Sequence, residues 1–205
     1  MKRFLIAIFL LLILLLNACS KEQKQVKSDV ENINANKELS ELSIFNLPSD
    51  WTNQHNVKMQ LSDFRGKISV FVMIYTSCQS ACPRLVADMR SIEKKIPKNL
   101  RDNINLVLVS IDPEVDTVER LKEFSIENEM DDDYWYFLRS SLENTRDFAM
   151  VLAVKYKKIS PIDFSHSNII SLFDQEGLLV HQQEGLGVDN EVTVKKLIEL
   201  AEKID

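Results

Sequence analysis

Two cysteines with three residues between them lie in the run Tyr75-Thr76-Ser77-Cys78-Gln79-Ser80-Ala81-Cys82-Pro83, directly after an apolar stretch. Two thiols at this spacing support two chemistries: they close a disulfide, or they hold a soft metal such as copper. Pro83 suits the first turn of a helix, where its missing N–H is not needed, so Cys82 is expected to open a helix with Cys78 just before it. On one helical path their Cα atoms would be about 6 Å apart, within reach of a disulfide. The positive end of that helix is expected to lower the thiol pKa values and favour thiolate. A disulfide kept only as a staple would close too short a loop to stabilise much.

A third donor is needed for a metal. The histidines are His55, His166 and His181. His166 stands in Asp163-Phe164-Ser165-His166-Ser167, immediately before an apolar strand. In a thioredoxin-like sheet that loop faces the dithiol and normally carries a cis-proline, whereas here the nearest proline is Pro161. Cys78, Cys82 and His166 together make a trigonal set that suits Cu(I), or Cu(II) with an added ligand. A closed structural zinc site would need a fourth protein ligand, and neither His55 nor His181 has suitable spacing. His55 reads as a solvated turn residue and His181 as a structural residue on a hairpin strand. Met59, Met73, Met89, Met130 and Met150 are scattered as core or surface residues, not gathered as a copper clamp. Asp112 and Asp116 read as a strand terminator and a helix cap rather than as ligands. A peroxidase of the peroxiredoxin type is not matched, because Thr76 lies two residues before Cys78 with no proline nearby upstream.

The elements that must position these groups follow from periodicity. Turn residues between Leu47 and Leu61 predict an early hairpin. Ile68–Tyr75 and Ile104–Ile111 read as buried strands. Leu85, Val86, Met89, Ile92 and Ile96 recur at helical spacing after Cys82. Asp116 with Glu119 resembles a capping box for a helix over Thr117–Asn128. A short strand over Tyr134–Leu138, a helix over Glu143–Val154, a hairpin of Asn168–Phe173 with Leu178–Gln182, and a helix over Val192–Ile204 complete the order. The fold class is α/β: a thioredoxin-like mixed sheet flanked by helices, with an N-terminal hairpin.

The first residues read as a targeting segment. Lys2 and Arg3 precede an apolar stretch over Phe4–Leu16, which is short for a membrane span. Leu16-Asn17-Ala18-Cys19 is similar to a bacterial lipobox, so residues 1–18 are expected to be a lipoprotein signal peptide and Cys19 the lipidated residue. Lipidation also accounts for the odd one of three cysteines in an exported chain. Residues 19–42 are polar and read as a flexible linker, about 25 Å end to end as a coil, and the domain follows over 43–205. That places the domain in the bacterial cell envelope, facing the periplasm or extracytoplasmic side, where disulfides persist. The chain has 205 residues and a net charge of −6. So acidic a balance gives no footprint for nucleic acid and leaves membrane attachment to the lipid.

Three segments in this order resemble the Sco/SenC family: Ile74 to Pro83 around the dithiol, Ser110-Ile111-Asp112-Pro113-Glu114-Val115-Asp116-Thr117, and His166 before an apolar strand. The resemblance covers residues 42–205. It implies copper delivery to the binuclear copper site of a terminal oxidase or similar enzyme, with Cys78, Cys82 and His166 as ligands. The implied partners are a copper enzyme such as a cytochrome oxidase subunit and a thiol reductant protein. Gln79 stands where the family usually has proline. Ser165 stands where many members have Asp next to the histidine, a place Asp163 is positioned to fill. A thiol–disulfide oxidoreductase acting on cysteines of an exported client, with Cys78 attacking and Cys82 resolving, uses the same reduced dithiol and stays open beside the metallochaperone reading.

Overall fold

Apolar strands buried on both faces belong in the centre of a parallel sheet, and the two longest such runs occupy it. A computed structural model of the chain describes residues 39–78, 81–161 and 163–204; the expected signal peptide, Cys19, the first part of the linker and Gln79 lie outside the described residues. β3 (Ile68–Ile74) and β4 (Ile104–Ser110) pair in parallel over their whole length, and every residue of both is buried. β5 (Trp135–Arg139) continues the parallel set beside β4. On the other side of β3 lies the antiparallel hairpin β8 (Ile169–Phe173) and β9 (Leu179–Glu184). The early hairpin, β1 (Asp50–Asn53) and β2 (Lys58–Gln60), closes the far edge, giving the order β2-β1-β5-β4-β3-β8-β9. Its turn is set by Asn53, whose Oδ1 accepts from the backbone N–H of His55 (2.9 Å) and of Val57 (3.0 Å), and by Asn56 in the left-handed region at φ 61°. His55 is exposed there, as expected.

Helices α1 (Cys82–Lys95), α2 (Val118–Glu127), α3 (Leu142–Val151) and α4 (Glu191–Ala201) flank the sheet. α3 brings Phe148 edge-on to Trp51 (5.4 Å between centroids) and Phe71 (5.3 Å). Phe71 lies level with Val107 and Tyr136 across the ladder, so the next residue, Phe137, points to the opposite face. It meets Phe124 of α2 there at 6.1 Å. α2 does not start on Asp116. Thr117 is its N-cap and accepts from Arg120 N–H at 3.2 Å, while Asp116 is fully buried and bonded elsewhere. The capping-box expectation chose the wrong residue because sequence spacing does not show which carboxylate faces the core.

Two further differences matter. Leu39 already packs against the core, and the compact unit runs from Leu39, so residues 39–42 join the domain rather than the linker. The segment around His166, expected as a loop, ends instead as the second strand of a two-stranded sheet, β6 (Tyr156–Ser160) with β7 (Asp163–His166). Both strands are short and half-exposed, and neither carries an apolar alternation that would announce it. Among the described residues no helix is long and apolar enough to cross a membrane.

Candidate metal centre

In an open α/β sheet, ligands collect beyond the carboxyl ends of the strands, where the chain order reverses. β3 is that place: its parallel neighbour β4 lies on one side and antiparallel β8 on the other. The chain leaves β3 through Tyr75 and turns at once, with Cys78 N–H donating to Tyr75 C=O at 3.3 Å. α1 then opens at Cys82 with Pro83 in its first turn, as expected. The backbone N–H of Cys82 donates to Cys78 Sγ at 3.3 Å. No disulfide joins the two cysteines, and Cys78 is the more exposed, at 9% against 1% for Cys82.

His166 reaches the dithiol from the end of β7. Its Nε2 is 3.7 Å from Cys82 Sγ. Its Nδ1 lies 3.0 Å from the carbonyl of Ser167. A carbonyl only accepts, so this bond puts the proton on Nδ1 and turns the Nε2 lone pair to Cys82. The two-stranded sheet holds the ring in place: His166 pairs with Tyr156, and Ser167 N–H donates to Lys155 C=O at 2.8 Å. The donor atoms of Cys78, Cys82 and His166 all lie within 4.8 Å of one another. Donors each about 2.0–2.3 Å from one ion in a trigonal arrangement are roughly 3.7 Å apart, so the set fits a single ion with little movement.

Burial governs the resting protonation. It pushes the Cys82 thiol far up; the Tyr75 backbone works against this and nearby Cys78 adds to it. The lowering expected at the helix start is outweighed at Cys82 by burial, while the Cys82 N–H donates to Cys78 Sγ. Burial also pushes His166 below its usual range, although the Ser167 carbonyl and the Asp163 charge oppose the shift. Both shifts favour neutral forms, a thiol beside an imidazole lone pair, and a bound cation would replace the thiol proton.

Asp163 was expected to fill the place beside the histidine. It does not touch His166: its carboxylate takes the hydroxyl of Tyr75 and the N–H of Phe164, the latter at 3.0 Å. Tyr75, 1% exposed, sets its ring edge-on to His166 at 5.9 Å. Besides its charge, Asp163 therefore acts on His166 through Tyr75. Burial and the Asp163 bond push the Tyr75 phenol up, keeping its proton in place to donate. Sequence reading gave Tyr75 no role, and no spacing rule would have supplied one.

The second residue missed is Asp116. Its Oδ1 lies 3.2 Å from Thr76 N, and it also accepts from the hydroxyls of Thr76 and Ser110. It thereby ties the turn that carries Cys78 to the end of β4. Neither Asp112 nor Asp116 belongs to the cysteine–histidine group, and His181 sits on β9 opposite Leu172. Among the described residues the group holds three donors, so the four-ligand zinc arrangement is not formed.

A family model described as SCO1/SenC matches residues 38–202, which include both thiols and His166. The chain belongs to the SCO1/SenC family. The SCO1 protein homolog of Bacillus subtilis (strain 168) is 29% identical over 104 residues, which are 50% of this chain and 53% of that protein. This SCO1/SenC chain thus aligns with about half the length of that curated relative. A SCO1/SenC family lipoprotein from Bacillus anthracis str. Ames is 27% identical with a TM-score of 0.68, over 74% of this chain and 92% of the other. Arabidopsis thaliana ScoI, solved with copper bound, shares the fold at a TM-score of 0.65 and 19% identity, over 78% of this chain and 99% of the other.

Proposed function

We propose that this SCO1/SenC protein carries copper as cargo on Cys78, Cys82 and His166 and delivers it to an exported copper enzyme such as a terminal oxidase. The observation that carries the reading is the triangle of two thiols and one imidazole, all within 4.8 Å, at the carboxyl end of β3. Thiolates and imidazole suit copper, and a three-donor set leaves room for ligand exchange with an acceptor. Cys78, the more exposed thiol, is the group an incoming ligand meets first. Lipid on Cys19 would hold the domain near a membrane-bound client and raise its effective concentration there. Kinship with a family lipoprotein of Bacillus anthracis supports that tether and a place in the cell envelope.

The test is an anaerobic copper titration of the reduced full-length chain beside His166→Ala. The wild type is expected to take up one equivalent tightly, with a thiolate-to-Cu(II) charge-transfer band that His166→Ala shifts or abolishes. Unchanged affinity and spectrum in the variant would remove His166 from the site. No tight copper but rapid disulfide exchange would make the dithiol itself the active group and favour the oxidoreductase reading.

Tyr75 and Asp163 are positioning residues in this scheme. Loss of an outer partner of a metal-bound histidine costs about 10–100-fold in affinity. Tyr75→Phe keeps the ring against His166 and removes only the hydroxyl that Asp163 holds. Its copper affinity is expected to fall about tenfold. Adding Asp163→Ala should cost little more, because the two act as one unit. Additive losses in the competition titration would show that they do not.

A further inference from the structure

A groove of about 660 Å³ runs beside the metal centre, between the end of β4, helix α3 and the β6–β7 hairpin. Its floor is apolar, built mainly by Ile111, Leu142, Val154, Tyr156 and Phe164, and Met150 stands at its edge 71% exposed. Four cations line it: Arg146 from α3 and Lys155, Lys157 and Lys158 from the hairpin. Against them stand two acids, Asp112 and Glu114. The groove is thus cationic in a chain whose net charge is −6. It also adjoins the copper triangle. Phe164 lines the groove and tilts against Tyr75 at 5.1 Å, and Tyr75 meets His166. Lys155, Tyr156 and Lys157 line a second, smaller hollow that His166 itself borders.

We propose that this groove receives an extended segment of the copper-accepting protein, one carrying apolar side chains interleaved with carboxylates. The role rests on the cargo reading above, because it assigns the docking surface used in delivery. Apolar side chains match the floor, and carboxylates match Arg146 and the three lysines. A polypeptide is favoured over a lipid by Asp112. That residue is 2% exposed and lines the groove, and its Oδ2 has no hydrogen-bond partner. With a small opening of the wall over it, a peptide N–H would satisfy that buried acceptor, which an acyl chain could not do. Lysines on the exposed strand β6 discourage simple edge-to-edge pairing, so side chains in the groove supply the hold. Docking presses on Phe164 and, through Tyr75, on the ring that holds the copper.

The test uses the full-length chain in phosphatidylcholine nanodiscs and a fluorescein-labelled peptide, Glu-Phe-Glu-Leu-Glu-Phe, with a lysine-for-glutamate peptide as control. Saturable binding of the acidic peptide, weakened by salt, is expected by fluorescence anisotropy. Arg146→Glu with Lys158→Glu places one reversed charge on each wall at exposed positions and is expected to weaken binding about tenfold or more. The same double variant should still take up one copper equivalent and unfold at the wild-type midpoint. The proposal is overturned by no binding, by equal binding of the lysine peptide, or by equal binding to the double variant. It is equally overturned if phosphatidylglycerol in the nanodiscs displaces the acidic peptide and the double variant releases that lipid, which would make the groove a lipid site. A wild-type chain that binds no copper would bring down the cargo reading itself, whatever the peptide does.

Discussion

Cys82→Ser is expected to abolish tight copper binding while leaving the fold in place. Cys82 is 1% exposed at the first turn of α1, and its Sγ lies 3.7 Å from His166 Nε2. Serine matches its size but offers a hard oxygen that stays protonated, so the soft three-donor set becomes two donors on opposite walls. The loss should exceed the roughly 100-fold that removal of an outer-shell partner can cost, because a direct ligand is gone. The new hydroxyl can donate to His166 Nε2, so the buried oxygen is not left unpaired and the unfolding midpoint should move little. Competition against a copper chelator and thermal unfolding of the same samples read the two effects separately. Copper affinity close to the wild type would leave Cys78 and His166 as the working pair and remove Cys82 from the site.

The other large effect is structural. Asp116→Ala removes the acceptor for Thr76 N–H and for the hydroxyls of Thr76 and Ser110, all inside the protein where water does not reach them. Stranding buried donors costs about 1–3 kcal/mol each before relaxation, so a destabilisation of about 3 kcal/mol or more is expected. For a domain of this size that is roughly 6–12 °C in Tm. Thr76 begins the turn to Cys78, so copper affinity should weaken as well. The pH dependence has a definite sign. Burial, opposed by the Thr76 and Ser110 bonds, pushes the Asp116 carboxyl above its ordinary 3.8. Its contribution to stability is then largest below pH 3.8 and is lost as pH rises through the folded value. The gap between wild type and Asp116→Ala should therefore narrow from acid toward neutral pH. A gap that widens over that range would show that the donors outweigh burial and hold the carboxylate charged.

Asp116 and Tyr75 also mark the limit of what the residue order could say. The sequence by itself determined the order of strands and helices in the main sheet and its flanking layers, because β3 and β4 are unbroken apolar runs and α1 carries its apolar residues at helical spacing. It also singled out Cys78, Cys82 and His166, which the fold brings within 4.8 Å of one another. Tertiary structure decided what those groups are. Burial, which depends on every element packed around a site, set Cys82 as a protonated thiol against the expectation drawn from the helix end. Pairing between two weakly patterned strands placed His166 at the end of β7 rather than in a loop. The partners that steady the site come from distant parts of the chain: Asp163 holds Tyr75, and Asp116 holds Thr76 and Ser110. Hydrogen bonds between residues 40 or 88 positions apart leave no periodic trace in a sequence, because they depend on where the whole sheet brings their side chains.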